Sequence, residues 1–141
     1  MSEFKKLTDD LSVSVQLNVD DVAAAKAAGF RTIVNNRPDG ESADQPDSSE
    51  IEAAATAAGL TYIYQPVVSG QISDRNIEDF GHTLASAEGP VLAFCRTGTR
   101  CTCLWALSQA PQRELDDIAR RAASAGYDLS GMMSRLQQRK G

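Results

Sequence analysis

The chain is short of the residues that several common protein classes depend on. Its 141 residues hold one histidine, one tryptophan and three cysteines, and only 6% are aromatic. Three cysteines are an odd number, and all fall between Cys95 and Cys103, which excludes a disulfide framework spread along the fold. In a reducing compartment such a cluster reads as catalytic or metal-binding. A metal site is not expected, because zinc usually takes four ligands and the spacing of Cys95, Cys101 and Cys103 is unusual. The lone His82 reads as a solvated helix residue, and no cofactor is expected. No apolar run reaches the length of a membrane span. The start, Met1-Ser2-Glu3-Phe4-Lys5-Lys6, lacks the apolar core of a signal peptide, so the expected location is cytoplasmic. Basic residues are in the minority, 14 Lys and Arg against 19 Asp and Glu. The net charge of −5 argues against nucleic acid or an anionic membrane as the main partner. No linker interrupts the sequence, and residues 1–141 are expected to form a single domain.

What is present is an alternation of β-rich and Ala-rich runs. Val13–Leu17 alternates apolar and polar residues as a half-buried strand does. Arg31–Asn35, Thr61–Tyr64 and Val91–Phe94 read as further strands. Helices are expected from Asp20 or Asp21 to about Ala28, from Ser48 to Gly59 and from Ser73 through Leu84. Others are expected near 100–109, 113–125 and 129–139. Strand–helix alternation predicts an α/β fold of three layers, a mainly parallel sheet flanked by helices. Ligands in such sheets sit beyond the carboxyl ends of the strands. Cys95 lies at one such end, and the loop Asn35–Glu41 lies at another.

The stretch Cys95-Arg96-Thr97-Gly98-Thr99-Arg100 joins the last strand to a helix. Helix N-terminal N–H groups and nearby Arg charge favour a thiolate, which makes Cys95 the expected nucleophile. Gly98 lets the backbone turn its N–H groups inward as an anion nest. Arg100 offers a planar fork for an oxyanion, Arg96 steers an anionic substrate, and Thr97 and Thr99 offer hydroxyls. The alternative is a buried Cys at a strand end beside two solvated Arg.

The Cys-Arg-Thr-Gly-Thr-Arg loop, with Leu104–Leu107 after it and Asn35-Asn36-Arg37-Pro38-Asp39-Gly40-Glu41 upstream, resembles the DUF442 family. These domains are also called the phosphatase-like domains of beta-lactamase hydrolase-like proteins. The resemblance covers nearly the whole chain and implies a dual-specificity-phosphatase-like fold. It implies either phosphatase or sulfurtransferase activity. It also moves Arg37 and Asp39 towards the site, with their loop rimming the pocket and orienting Arg100 or substrate. From the residues alone, Arg37–Gly40 is a turn with a local ion pair.

Two departures from the phosphatase pattern favour sulfur transfer at this stage. Cysteine phosphatases use Cys-x5-Arg, whereas here Arg100 follows Cys95 after four residues and Cys101 takes the Arg place. The shorter loop is similar to that of rhodaneses, which cradles a persulfide. The general acid Asp of dual-specificity phosphatases has Ser69 in its place, with Asp74 or Asp79 as substitutes. The expectation is a sulfurtransferase that moves a sulfane sulfur from thiosulfate or a persulfide to a thiol acceptor through Cys95. The alternatives are a cysteine-dependent phosphatase acting on a phosphate ester through a Cys95 phosphocysteine, and a non-catalytic anion or persulfide sensor. Cys101 stands where the family more often has Ser. It reads as a small packed helix residue or as a resolving thiol.

Overall fold

The computed structural model describes residues 4–140, so the reading of Met1–Glu3 lies outside the described residues. Five strands make one sheet: β1 (Lys5–Thr8), β2 (Leu11–Ser14), β3 (Thr32–Asn35), β4 (Thr61–Tyr64) and β5 (Val91–Phe94). Their order is β1-β2-β5-β3-β4. All neighbouring pairs are parallel except the β1–β2 hairpin. The all-apolar run of β5 suits a central parallel strand buried on both faces, and all four of its residues are buried.

Side chains alternate across the sheet and divide the core in two. Val91 and Ala93 join Val13 and Val34 on one face, while Leu92 and Phe94 join Ile33 on the other. Two helices, α1 (Val19–Ala27) and α2 (Ser48–Ala57), cover the Leu92 face through Val22, Ala25, Ile51 and Ala55. The other face carries α3 (Asp74–Ser86), α4 (Thr99–Gln109), α5 (Leu115–Ser124) and α6 (Met133–Lys140). The same alternation puts Cys95 in the core of the α3–α6 side. α4 packs against α3, α5 and α6 and is buried around most of its circumference. Seven of its eleven residues are buried, Arg100, Cys101 and Trp105 among them, as expected of a helix in the middle of a layer.

The register aligns the ends that matter. Phe94 of β5 lies level with Ser14 of β2 and Asn35 of β3. The segments after these three strands therefore emerge side by side: Cys95–Arg100, Val15–Gln16 and Asn36–Glu41.

Two sequence expectations are corrected by the structure. The strand expected over Val13–Leu17 runs instead over Leu11–Ser14, pairing with an unforeseen β1. Beyond Ser14 the chain leaves the ladder, because the Gln16 N–H donates to the Arg96 carbonyl in the loop after β5. α1 is capped by Asn18, whose Oδ1 accepts from the Asp21 N–H at 3.0 Å while Asp21 accepts from the Asn18 N–H at 2.8 Å. Asp21 is thus the third helical residue of a capping box. Among the described residues, no helix is long and apolar enough to cross a membrane.

Candidate active site

Cys95 ends β5 with only 1% of its surface exposed. Gly98 caps α4 with φ +91°, a left-handed conformation that turns its N–H back onto Cys95 Sγ at 3.1 Å. Only glycine fits at this position. A Cβ there would lie 2.1 Å from the Tyr127 hydroxyl and 2.9 Å from its Cζ. The same hydroxyl donates to the Thr97 carbonyl at 2.9 Å. Behind the loop, the Thr102 N–H and hydroxyl both donate to the Gly98 carbonyl, at 3.0 and 2.9 Å. The loop is therefore pinned from α4, from Tyr127 and, through the Gln16–Arg96 bond, from the end of β2.

These contacts make an acidic thiol. The Cys101 thiol, donating to the Cys95 sulfur, is the largest influence that brings Cys95 from the ordinary 9.0 down to about 6. Burial opposes it, and the amides of Cys101, Gly98 and Thr97 add to it. Cys101 is fully buried, and burial pushes its own proton affinity well up, so it stays a donor. Cys103, on the pocket wall, is pushed up to about 11 by burial. At neutral pH the site thus holds one thiolate and two thiols.

A cleft of about 630 Å³ opens beside the loop. Arg37, Glu41, Ser69, Arg96, Thr97, Thr99 and Arg100 line it, joined by Ser42, Gly70, Ile72 and Cys103. The Arg100 side chain is 9% exposed and grips Glu41 with both terminal nitrogens, at 2.8 and 2.9 Å. Nη1 also donates to the Val67 carbonyl at 2.9 Å. Arg37 is buried as well and donates to Glu41 through Nε at 3.0 Å, to Gln16 at 3.0 Å and to the Ser42 hydroxyl at 3.3 Å. The hydrogen bond from Arg100, followed by that from Arg37, holds the Glu41 carboxyl below the usual range despite some burial. Of the five N–H donors of Arg100, three are occupied among the described residues. The Nε–H and one Nη2 hydrogen remain for an anion.

The structure brings Cys95, Arg96, Thr97, Gly98, Thr99, Arg100, Arg37 and Ser69 together, with Cys101 directly beneath. It does not bring Asp39. Asp39 Oδ1 accepts from the Ser48 N–H at 2.7 Å and so caps α2 from outside. The reason is local: Asp47 occupies the cap position of α2 but its side chain makes no cap bond, which leaves an amide for Asp39 to satisfy. Neither substitute acid lies in the cleft. Asp74 lies 3.5 Å from Arg135 and from Arg139 of α6, and Asp79 pairs with Arg75 at 3.5 Å. Sequence reasoning missed Tyr127 and Gln16, which lie far from the loop along the chain. Glu41 carried a signal, its place in the motif that ends Asp39-Gly40-Glu41.

Comparisons with known proteins follow the same lines. Residues 3–112 match the family described as beta-lactamase hydrolase-like protein, phosphatase-like domain. A beta-lactamase hydrolase-like protein of Xylella fastidiosa strain 9a5c is 34% identical over 134 residues, 94% of this chain. The match takes in 31% of that protein, so the chain spans about a third of the length of its curated relatives. A phosphatase candidate from Neisseria meningitidis Z2491, known from its crystal structure, is 40% identical, with a TM-score of 0.87 over 95% of this chain and 96% of that one. The catalytic core of the Saccharomyces cerevisiae PP-IP phosphatase SIW14, crystallised with citrate, shares the fold at 12% identity. Its TM-score is 0.67, over 97% of this chain and 92% of its own. These findings overturn the expectation of a sulfurtransferase fed by thiosulfate and a thiol acceptor: the family is described as phosphatase-like, and the neighbouring folds are those of phosphatases. Loop length misled because residues counted along the chain do not say where N–H groups point. With Gly98 left-handed, four intervening residues suffice to turn an amide onto the sulfur.

Proposed function

Because this chain belongs to the family of phosphatase-like domains of beta-lactamase hydrolase-like proteins, we propose that it is a cysteine-dependent phosphatase. The observation that carries this reading is an acidic, buried Cys95 at the N-terminus of a buried helix, at the start of a loop whose Arg96, Thr97, Thr99 and Arg100 line a cleft. Cys95 Sγ attacks the phosphorus of a small phosphate compound. The S–P bond forms, the P–O bond to the leaving group breaks, and a phosphocysteine results. Loop amides, the two remaining Arg100 donors and the Thr97 and Thr99 hydroxyls hold the phosphoryl oxygens as charge redistributes. Arg96, exposed on the rim, draws the anion in. Water then attacks phosphorus, releasing inorganic phosphate and returning the thiolate.

Arg37 acts on this reading as a positioning residue. It is buried under Glu41 and shares that carboxylate with Arg100, which fixes the Arg100 fork across the cleft. Three reduced cysteines fit a reducing compartment such as the cytoplasm. The test is turnover of an aryl phosphate, with acid quench and mass spectrometry of the trapped enzyme. One phosphoryl group on Cys95, and loss of turnover in Cys95→Ser, are expected. A folded protein that gives neither phosphocysteine nor phosphate would refute the assignment.

A further inference from the structure

Breaking a P–O bond leaves an electron pair on the departing oxygen. An alkoxide needs a proton as it leaves, and a positioned acid contributes about 10²- to 10⁴-fold to such a step. Among the described residues, each carboxyl around this cleft has a partner other than a substrate oxygen. Among the described residues Glu41 is the one carboxyl that lines it, and both of its oxygens accept from guanidinium groups at 2.8–3.0 Å. Asp44, in the adjoining hollow beside Arg37 and Arg96, accepts from the Ser42 hydroxyl at 2.8 Å. Asp74 is drawn to α6, Asp79 to Arg75 and Asp39 to the start of α2. Ser69 lines the cleft with an alcohol, too weak an acid to protonate a departing oxygen. The Tyr127 proton is spent on the Thr97 carbonyl.

We propose that the site is selective for phosphoryl groups carried by leaving groups stable as free anions, such as phosphoanhydrides, acyl phosphates and acidic aryl phosphates, and discriminates against alkyl phosphate esters. This rests on the phosphatase reading and specifies its substrate class. In the first step the S–P bond forms, the P–O bond breaks and the leaving group departs with its electron pair as an anion. Solvent protonates it afterwards. In the second step water attacks phosphorus, its proton goes to solvent, and the S–P pair returns to Cys95. No oxidant or co-reactant is needed. Glu41, ionised between two arginines, serves to hold Arg100 and not to deliver a proton.

The test is a series of aryl phosphates that differ in leaving-group acidity, from dinitrophenyl to phenyl, with acetyl phosphate and an alkyl phosphate as end members. For the wild-type chain, kcat/KM should fall by at least about 100-fold from dinitrophenyl to phenyl phosphate, the lower end of what a general acid supplies. It should be high for acetyl phosphate and lowest for the alkyl ester. A smaller fall would overturn the proposal, because some group would then be protonating the leaving oxygen. Glu41→Gln supplies a second reading. It should lower kcat/KM for all members by the same factor, whereas a selective loss for phenyl phosphate would make Glu41 the acid and overturn the proposal. If no member is turned over and no phosphocysteine forms, the phosphatase reading itself falls, and this proposal with it.

Discussion

Replacing Cys101 by alanine removes the donor that does most to acidify Cys95. The Cys95 thiol stands at about 6 against 9.0, a thousandfold in acidity, or about 4 kcal/mol at about 1.4 kcal/mol per tenfold. Burial works in the opposite direction, so the favourable influences together exceed that figure. They include the Cys101 thiol, which is the largest, the amides of Cys101, Gly98 and Thr97, and the Arg100 charge. Loss of the largest of them should raise the midpoint by about one pH unit, or about 1.4 kcal/mol. Cys101→Ser keeps a donor in place and should hold the midpoint near the wild-type value. The assay is ultraviolet thiolate absorbance against pH, which reads a buried sulfur without requiring a reagent to reach it. Cys103 and Cys101 hold their protons to much higher pH and leave this window to Cys95. An unchanged midpoint in Cys101→Ala, or equal rises in both variants, would refute the reasoning. Because the thiolate is the reacting form, kcat/KM should drop as pH falls through about 6 in the wild type and at higher pH in Cys101→Ala.

Three further changes have defined outcomes. Gly98→Ala forces a left-handed alanine, at about 1–2 kcal/mol, and its Cβ displaces Tyr127 from Thr97, at about 1 kcal/mol more. A Tm lower by roughly 5–10 °C is expected, with a smaller loss when Tyr127→Ala makes room, and thermal unfolding of the single and double variants checks the coupling. Arg100→Lys gives up the planar fork and its grip on both Glu41 oxygens, so kcat/KM for an aryl phosphate should fall by about 10²-fold or more in steady-state assays. Asp39→Ala uncaps α2 and should lower stability by about 1 kcal/mol in denaturant titrations, with kcat/KM changed by less than about twofold.

Much of the fold could be read from the chain because its signals are local. The all-apolar Val91–Phe94 and the capped helix after Ser73 follow from a few neighbouring residues, and both appear as expected. The loop Cys95–Arg100 was legible for the same reason. Its supports were legible only in part: the family resemblance moved the Arg37–Glu41 loop towards Arg100, but the residue pairs that hold it have no local signal. Glu41 reaches Arg100 across 59 positions and Tyr127 reaches Thr97 across 30, and no periodicity reports such pairs. Cys101 shows the limit most clearly. Sequence spacing offered a packed residue or a resolving thiol; Cys101 is packed in the core, and its influence on the acidity of Cys95 has no signal in the spacing.

The level ends of β2, β5 and β3 carry a consequence for what the nucleophile is. Cys95 draws its acidity from the turn of α4, and that turn is held by residues from the far end of the chain and from the edge hairpin. A peptide of residues 91–105 would carry an ordinary thiol. Proton affinity and folding are therefore one equilibrium seen from two sides. A thiol made more acidic by folding stabilises the fold at pH above the unfolded thiol's value, and that contribution disappears as pH falls through about 6. The reactive sulfur thus belongs to the tertiary structure, and its acidity measures how much of that structure is intact.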